Sequence, residues 1–339
     1  MNYVRNAWYV ASWSHDLQMS KPTAMKILGE PIVLFRGKAG QVFALEDRCV
    51  HRLAPLSLGR CEGNNLRCMY HGLLYSSDGV VIEIPGQDKI PDQAKVRTYP
   101  VIERHSWVWV WMGESDKVDE DLIPGAVGLD DPEYILGYGQ LDYNAEARLI
   151  NDNLLDFSHL SFVHANSFES GPEYANTPAM IKPTERGISY ERWVENTTGP
   201  HARRSSEPMD NYMLYEFLVP GVLLMETGVY PIGTAKACGY GAPDRSLGMQ
   251  RSFTSQAVTP MSERTSRYFY SWGPHVSDGS SEKRDQMMEL AGRAFAEDKV
   301  MIEAQQVCID ITPGSSVMPT AHDRGITIFN RLVQRLSKN

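Results

Sequence analysis

The sequence holds no run of about 18 consecutive apolar residues, so nothing in it reads as a transmembrane helix. Its start, Met1-Asn2-Tyr3-Val4-Arg5-Asn6-Ala7-Trp8-Tyr9, has neither a long apolar core nor a small-residue cleavage site. It does not read as a signal peptide, and the expected location is the cytoplasm. Cysteine is scarce, with five among 339 residues: Cys49, Cys61, Cys68, Cys238 and Cys308. An odd, small number provides no disulfide scaffold, so any cysteine cluster is better explained by metal. Basic residues are in deficit, 33 against 42 acidic ones, for a net charge of −9. That balance argues against nucleic acid or an anionic membrane as partner, although a local pocket can still be basic. No G-x-G-x-x-G follows a strand-like run, so the chain is not expected to take hydride from a dinucleotide itself. Internal repeats and low-complexity tracts are also missing.

What is present suits two packed cores. Over the first 115 residues or so, short strand-like runs alternate with Gly and Pro. Residues 32–36 and 41–45 read as a hairpin across Gly37-Lys38-Ala39-Gly40, and Trp107-Val108-Trp109-Val110-Trp111-Met112 alternates with period two. A small antiparallel sandwich or barrel is expected. The acidic stretch 113–121 is the candidate boundary, giving domains at 1–118 and 119–339. In the second, 146–164 reads as helix plus turn, 165–180 and 199–212 as loops, and 213–230, 249–258 and 265–272 as strands. A long helix is expected at 281–308 and a short amphipathic one at 325–336, an α+β domain.

Two constellations carry chemistry. Cys49-Val50-His51 and Cys68-Met69-Tyr70-His71 are separated by 16 residues, each half offering one thiolate and one imidazole from a turn-rich loop. Zinc could take all four ligands. A Rieske [2Fe–2S] cluster would place both thiolates on one iron and both imidazoles on the other. Zinc fingers usually pair like with like, so the mixed halves favour the Rieske cluster. Cys61, Cys238 and Cys308 read as bystanders, and His105 as a surface residue in a turn.

The second set begins with His159 and His164, five apart among Leu160, Phe162 and Val163. They read as metal ligands or as a hydrogen-bonded core pair. A spacing of five suits one helical face poorly, so a helix there should be distorted or end between them. In the long helix, Asp298 falls on the apolar stripe of Ala291, Ala294, Phe295, Met301 and Ile302, with Glu297 and Lys299 flanking it outside. A carboxylate on such a stripe is either ion-paired or bound to metal. Two histidines and one carboxylate form the facial triad of non-haem ferrous oxygenases.

With both motifs placed, the chain resembles the oxygenase subunits of Rieske non-haem iron oxygenases, in the branch of vanillate O-demethylase, toluenesulfonate methyl-monooxygenase and dicamba O-demethylase. Further carriers are Val4-Arg5-Asn6-Ala7-Trp8-Tyr9-Val10-Ala11, Arg52-Leu53-Ala54-Pro55-Leu56-Ser57, Asn153-Leu154-Leu155-Asp156 and Phe295-Ala296-Glu297-Asp298. The resemblance implies an N-terminal all-β Rieske domain and a C-terminal α+β catalytic domain with a helix-grip-like antiparallel sheet. It implies that Cys49, His51, Cys68 and His71 hold the cluster, and that His159, His164 and Asp298 hold the mononuclear ferrous iron. Asp156 would bridge His159 and His71 of a neighbouring copy in a head-to-tail homotrimer, and Asn153 and Gln256 would lie near the substrate. The implied activity is O2-dependent hydroxylation of an alkyl carbon, leading to oxidative O- or N-dealkylation of a small aromatic compound. Electrons would come from NAD(P)H through a separate reductase, with or without a ferredoxin. Ring or methyl hydroxylation is the alternative activity, and a Rieske electron-transfer protein the rival class. The run Tyr212–Tyr230 could line an apolar pocket, although most of it reads as core strand, and the loop 165–180 could act as a lid.

Overall fold

The computed structural model describes residues 3–198 and 207–338. The chain divides into two compact units. One comprises Arg5–Ile123 with Thr259–Glu263, and the other Pro124–Val258 with the chain from Arg264 on.

The first unit is built from ten short strands: β1 (Trp8–Trp13), β2 (Thr23–Ile27), β3 (Glu30–Arg36), β4 (Val42–Glu46), β5 (Arg60–Glu62), β6 (Asn65–Arg67), β7 (Leu74–Tyr75), β8 (Val81–Glu83), β9 (Val101–Arg104) and β10 (Trp107–Trp111). They form three antiparallel sheets, β1-β10-β9, β2-β3-β4 and β5-β6-β7-β8. The hairpin expected from residues 32–45 is β3–β4, with Phe35 opposite Phe43. β10 is buried along its whole length, on both faces of its period-two pattern. A core of Val33, Phe35, Leu45, Leu56, Leu66 and Tyr75 also encloses Cys49 and Cys68. Apolar burial of this kind is the main stabilising term.

The second unit carries one seven-stranded antiparallel sheet. Its strands are β11 (Gly137–Tyr143), β12 (Met180–Pro183), β13 (Gly187–Thr197), β14 (Met209–Leu218), β15 (Val222–Tyr230), β16 (Met249–Ser262) and β17 (Thr265–Pro274), in the order β11-β17-β16-β15-β14-β13-β12. The helices are α1 (Ala147–Leu155), α2 (Pro172–Asn176), α3 (Thr234–Ala237), α4 (Ser281–Ile311) and α5 (Arg324–Leu336). The expected α+β architecture, an antiparallel sheet with helices, is the one observed. Within it, the single run expected at 213–230 is a hairpin, broken around Gly221 into β14 and β15. The loop expected at 165–180 contains α2. Of the loop expected at 199–212, residues 199–206 lie outside the described residues, and Met209 onward is strand.

The long helix α4 starts where Ser280 caps it, its side chain accepting from the Lys283 N–H. Its buried face runs Ala291, Ala294, Asp298, Ile302, with Asp298 only 4% exposed. Met301, expected on that stripe, points outward and is 56% exposed. Ile302, one residue and about 100° further round the helix, takes the inner position. No helix among the described residues is long and apolar enough to cross a membrane.

Candidate metal centres

The two cysteine loops of the first unit are built alike. The Cys49 N–H donates to Ala54 O at 2.8 Å and the Leu53 N–H returns to Cys49 O at 2.9 Å. The Cys68 N–H donates to Leu73 O at 2.9 Å and the Gly72 N–H returns to Cys68 O at 3.0 Å. Each loop closes through a left-handed residue four positions after the cysteine, Leu53 at φ 61° and Gly72 at φ 80°. Glycine takes that conformation freely, whereas leucine adopts it at a cost. The repeated turn presents one thiol from each loop to the same place, close enough for Cys49 to act on Cys68. The backbone N–H groups of Tyr70 and His71 also point at the Cys68 sulfur. His51 and His71 stand exposed beyond the thiols with ring centroids 4.4 Å apart.

Two buried thiols paired with two exposed imidazoles fit a cluster whose irons take different ligands. Tyr75 was not found from sequence. Its hydroxyl donates to Cys49 Sγ at 3.2 Å and accepts from the Val50 N–H at 2.9 Å, so its proton is directed at sulfur. Burial and the Cys49 contact hold the Tyr75 pKa well above the usual phenol value. A tyrosine closing a two-residue strand carries no distinguishing signal in a sequence.

In the second unit α1 ends at Leu155, because Asp156 is extended at φ −131° and ψ 96°. The Asp156 carboxylate then accepts from the Ser158 N–H at 2.8 Å and caps a 3-10 turn, Phe157–Ser161, that ends between the two histidines. The expected break is therefore present. His159 sits in the 3-10 turn and His164 in the turn that follows. Their Nε2 atoms lie 3.6 and 3.3 Å from Asp298 Oδ1, and the three donor atoms all fall within 4.8 Å of one another. Asn153 Nδ2 donates to the same Asp298 oxygen at 3.1 Å.

The outward nitrogens are held differently. His159 Nδ1 meets the Asp156 backbone carbonyl at 2.5 Å. The Asp156 contact to His159 thus runs through the main chain, while the carboxylate is engaged by Ser158. His164 Nδ1 meets Glu297 Oε2 at 2.9 Å, and Ser167 Oγ donates to that same oxygen at 2.6 Å. Burial pulls the His159 pKa down, with Asp298 opposing. Burial also acts against charge on His164, but hydrogen bonds to Asp298 and Glu297 outweigh it and raise its pKa. Both imidazoles aim Nε2 inward with Nδ1 occupied, which is the tautomer and orientation a metal needs. Three ligands on one side leave open positions, as in the two-histidine, one-carboxylate oxygenase sites. The donors therefore fit a ferrous ion.

A cavity of about 90 Å³ opens over these ligands. Phe157, Phe168, Met213, Met225, Trp272 and Phe295 supply its apolar wall. Of the two residues expected near substrate, Asn153 lines it from α1 and Gln256 from β16. Gln256 Nε2 donates to Thr254 Oγ1 at 3.1 Å, and its Oε1 is buried without a partner. Within Tyr212–Tyr230, Met213, Met225 and Thr227 reach the cavity, whereas Phe217 and Leu223 are fully buried core. From the loop after the histidines, Phe168, Ser170 and Tyr174 contribute.

A chain pairing a cysteine–histidine cluster domain with a histidine–carboxylate cavity on an antiparallel sheet is of the class of two-centre iron oxygenases. Comparison with known proteins agrees. Residues 7–100 match the Rieske [2Fe-2S] domain, and residues 143–339 match the vanillate O-demethylase oxygenase C-terminal domain. The chain belongs to the family of Rieske non-haem iron monooxygenase oxygenase subunits. It is 34% identical to the iron-sulfur subunit of the toluene-4-sulfonate monooxygenase system of Comamonas testosteroni, over 99% of this chain and 97% of that one. It is 30% identical to the oxygenase component of chloroacetanilide N-alkylformylase of Rhizorhabdus wittichii, over 98% and 95%. The crystal structure of dicamba monooxygenase bound to 3,6-dichlorosalicylic acid superposes with a TM-score of 0.89 at 26% identity, covering 99% and 98% of the two chains.

Proposed function

We propose that this chain is the terminal oxygenase of a multicomponent system that hydroxylates an alkyl carbon of a small aromatic compound. Cys49 and Cys68 hold one cluster iron and His51 and His71 the other, while His159, His164 and Asp298 hold the ferrous ion. The observation that carries the reading is the coexistence, in one polypeptide, of a built electron-accepting site and a three-ligand site open to an apolar cavity. When bound, the two centres supply electrons singly and activate O2 for insertion of one oxygen atom into a C–H bond.

The chain's own groups do the rest. Glu297 and the Asp156 carbonyl orient the ligand imidazoles, and Asn153 holds Asp298. Phe168, Trp272 and Phe295 keep water from the reacting carbon. If that carbon bears O or N, its hydroxylated form collapses with loss of an aldehyde, and the net result is dealkylation. Relatives named as O-demethylases and as an N-alkylformylase support this outcome. A relative named for toluene-4-sulfonate supports methyl hydroxylation by the same centres.

Electrons reach the cluster from NAD(P)H through a separate reductase or ferredoxin. The exposed His51–His71 edge is the natural entry point and exit point. The half-buried Asp156 carboxylate bridges to His71 of a second copy in a homotrimer. Exposed Val307, Ile311, Val317 and Met318 provide apolar surface of the kind such an assembly covers. Incubation with methoxybenzoates, arenesulfonates and N-alkyl anilides, plus a reductase, tests the reading. Aldehyde or benzylic alcohol is the expected product, and a cis-diol would refute it.

A further inference from the structure

Arg192 lies on β13 directly opposite Met213 on β14. Met213 is opposite Thr227 on β15, and Thr227 is opposite Ser252 on β16. Directly paired residues share one face of a sheet, so this row runs across the face that floors the cavity, and Met213 and Thr227 line it. Arg192 is the next residue along. Its side chain is buried, at 7% exposure. Nη1 donates to the backbone O of Tyr174 at 2.8 Å and Nη2 faces Met213 Sδ at 3.5 Å. Both Tyr174 and Met213 belong to the cavity wall.

No ion pair among the described residues includes Arg192, and Asp156 acts on it only at longer range. A buried guanidinium without an anion is expensive, and one carbonyl, one thioether and the Tyr174 ring, whose centroid is 5.8 Å from Cζ, compensate it only in part. Clasping the Tyr174 carbonyl needs only a neutral donor, so the charge is surplus to that task. No Lys or Arg lines the cavity itself. The group between cation and cavity is methionine, which is unbranched and readily changes rotamer.

We propose that Arg192 is the anion-recognition group of this cavity, and that an aromatic carboxylate or sulfonate displaces the Met213 thioether to pair with the guanidinium. The planar fork of Arg192 matches such oxyanions bidentately. The inference rests on the reading of this cavity as the substrate site. The unpaired Gln256 Oε1 offers the competing recognition, that of a neutral substrate N–H.

The test is equilibrium binding of benzoate, benzenesulfonate and benzamide to the intact holoenzyme by calorimetry. The wild type is expected to bind both anions about tenfold to a hundredfold more tightly than benzamide, the range of a charged hydrogen bond. Arg192→Met should erase that preference while leaving benzamide binding and the cluster spectrum in place, and Arg192→Lys should restore part of it. Benzenesulfonate separates pairing with Arg192 from carboxylate ligation of iron, because it is the poorer metal ligand. If Arg192→Met does not fold, Met213→Ala replaces it: removal of the shutter should tighten both anions selectively. Equal or tighter binding of benzamide by the wild type overturns the proposal, as does an anion preference that survives in Arg192→Met or is unaltered in Met213→Ala. Such a result in protein retaining both iron centres leaves the oxygenase reading standing, since the titration involves no turnover.

Discussion

Replacing Glu297 with glutamine tests how the ferrous site is held. The carboxylate sits 2.9 Å from His164 Nδ1 and takes the Ser167 hydroxyl at 2.6 Å on the same oxygen. His159, by contrast, is oriented by the Asp156 backbone carbonyl, which no side-chain substitution removes. Glu297→Gln keeps the size of the side chain and one possible acceptor for the imidazole N–H but deletes the charge that makes His164 a stronger donor. Loss of such a partner behind a metal-bound histidine costs roughly 10- to 100-fold in metal affinity, about 1.4 to 2.7 kcal/mol. Glutamine should fall near the lower end and Glu297→Ala near the upper. The assay is competition for ferrous iron with a chromogenic chelator, with the cluster spectrum as internal control. Unchanged iron affinity in both variants would refute the reasoning, and loss of the cluster along with the iron would show a general folding defect instead.

Further outcomes are expected elsewhere. Asp156→Asn should retain both metals while turnover falls severely, and retained activity would remove the bridging role. Asp152 is partly buried beside Arg148 and Asn330, and that burial raises its pKa from 3.8 to about 6. Its folded-state pKa lies above the unfolded one, so its contribution to stability is full below about pH 4 and is lost as pH rises through about 6. Asp152→Asn should therefore flatten the pH dependence of chemical unfolding over that window by up to about 3 kcal/mol, and an unaltered profile would contradict the burial argument. Tyr75→Phe removes the O–H donated to Cys49 Sγ. It should lower the cluster reduction potential in a redox titration, because a hydrogen bond to sulfur stabilises the reduced, more negative state.

Much of this site could be read from residue order because its chemistry is local. Two Cys–His pairs on turn-rich loops, and two histidines set among Leu and Phe, are improbable unless something binds them. Asp298 stood out because a helical period places it between Ala294 and Ile302, and the structure buries all three. The same logic misassigned Glu297. A helical wheel puts it outside the stripe, yet its longer side chain reaches round to His164, a contact across 133 positions that no local pattern encodes. Asp156 was singled out, but its carbonyl rather than its carboxylate meets His159, because the chain turns extended there to end α1. Cavity residues were hardest to foresee. Met213 and Phe217 lie four residues apart on the same face of β14, yet Met213 lines the cavity while Phe217 packs against Phe329 of α5, because what covers each point along that face is decided by distant parts of the chain.

Iron and acid-labile sulfide analysis, coupled to electron paramagnetic resonance of the dithionite-reduced protein, tests two iron centres in one chain most directly. The expected result is a rhombic signal from a histidine-ligated iron pair, with two sulfides and a third, sulfide-free iron per chain that is lost in Asp298→Ala. Zinc in the Cys49–His71 loops, or two irons per chain with no change in Asp298→Ala, would contradict it.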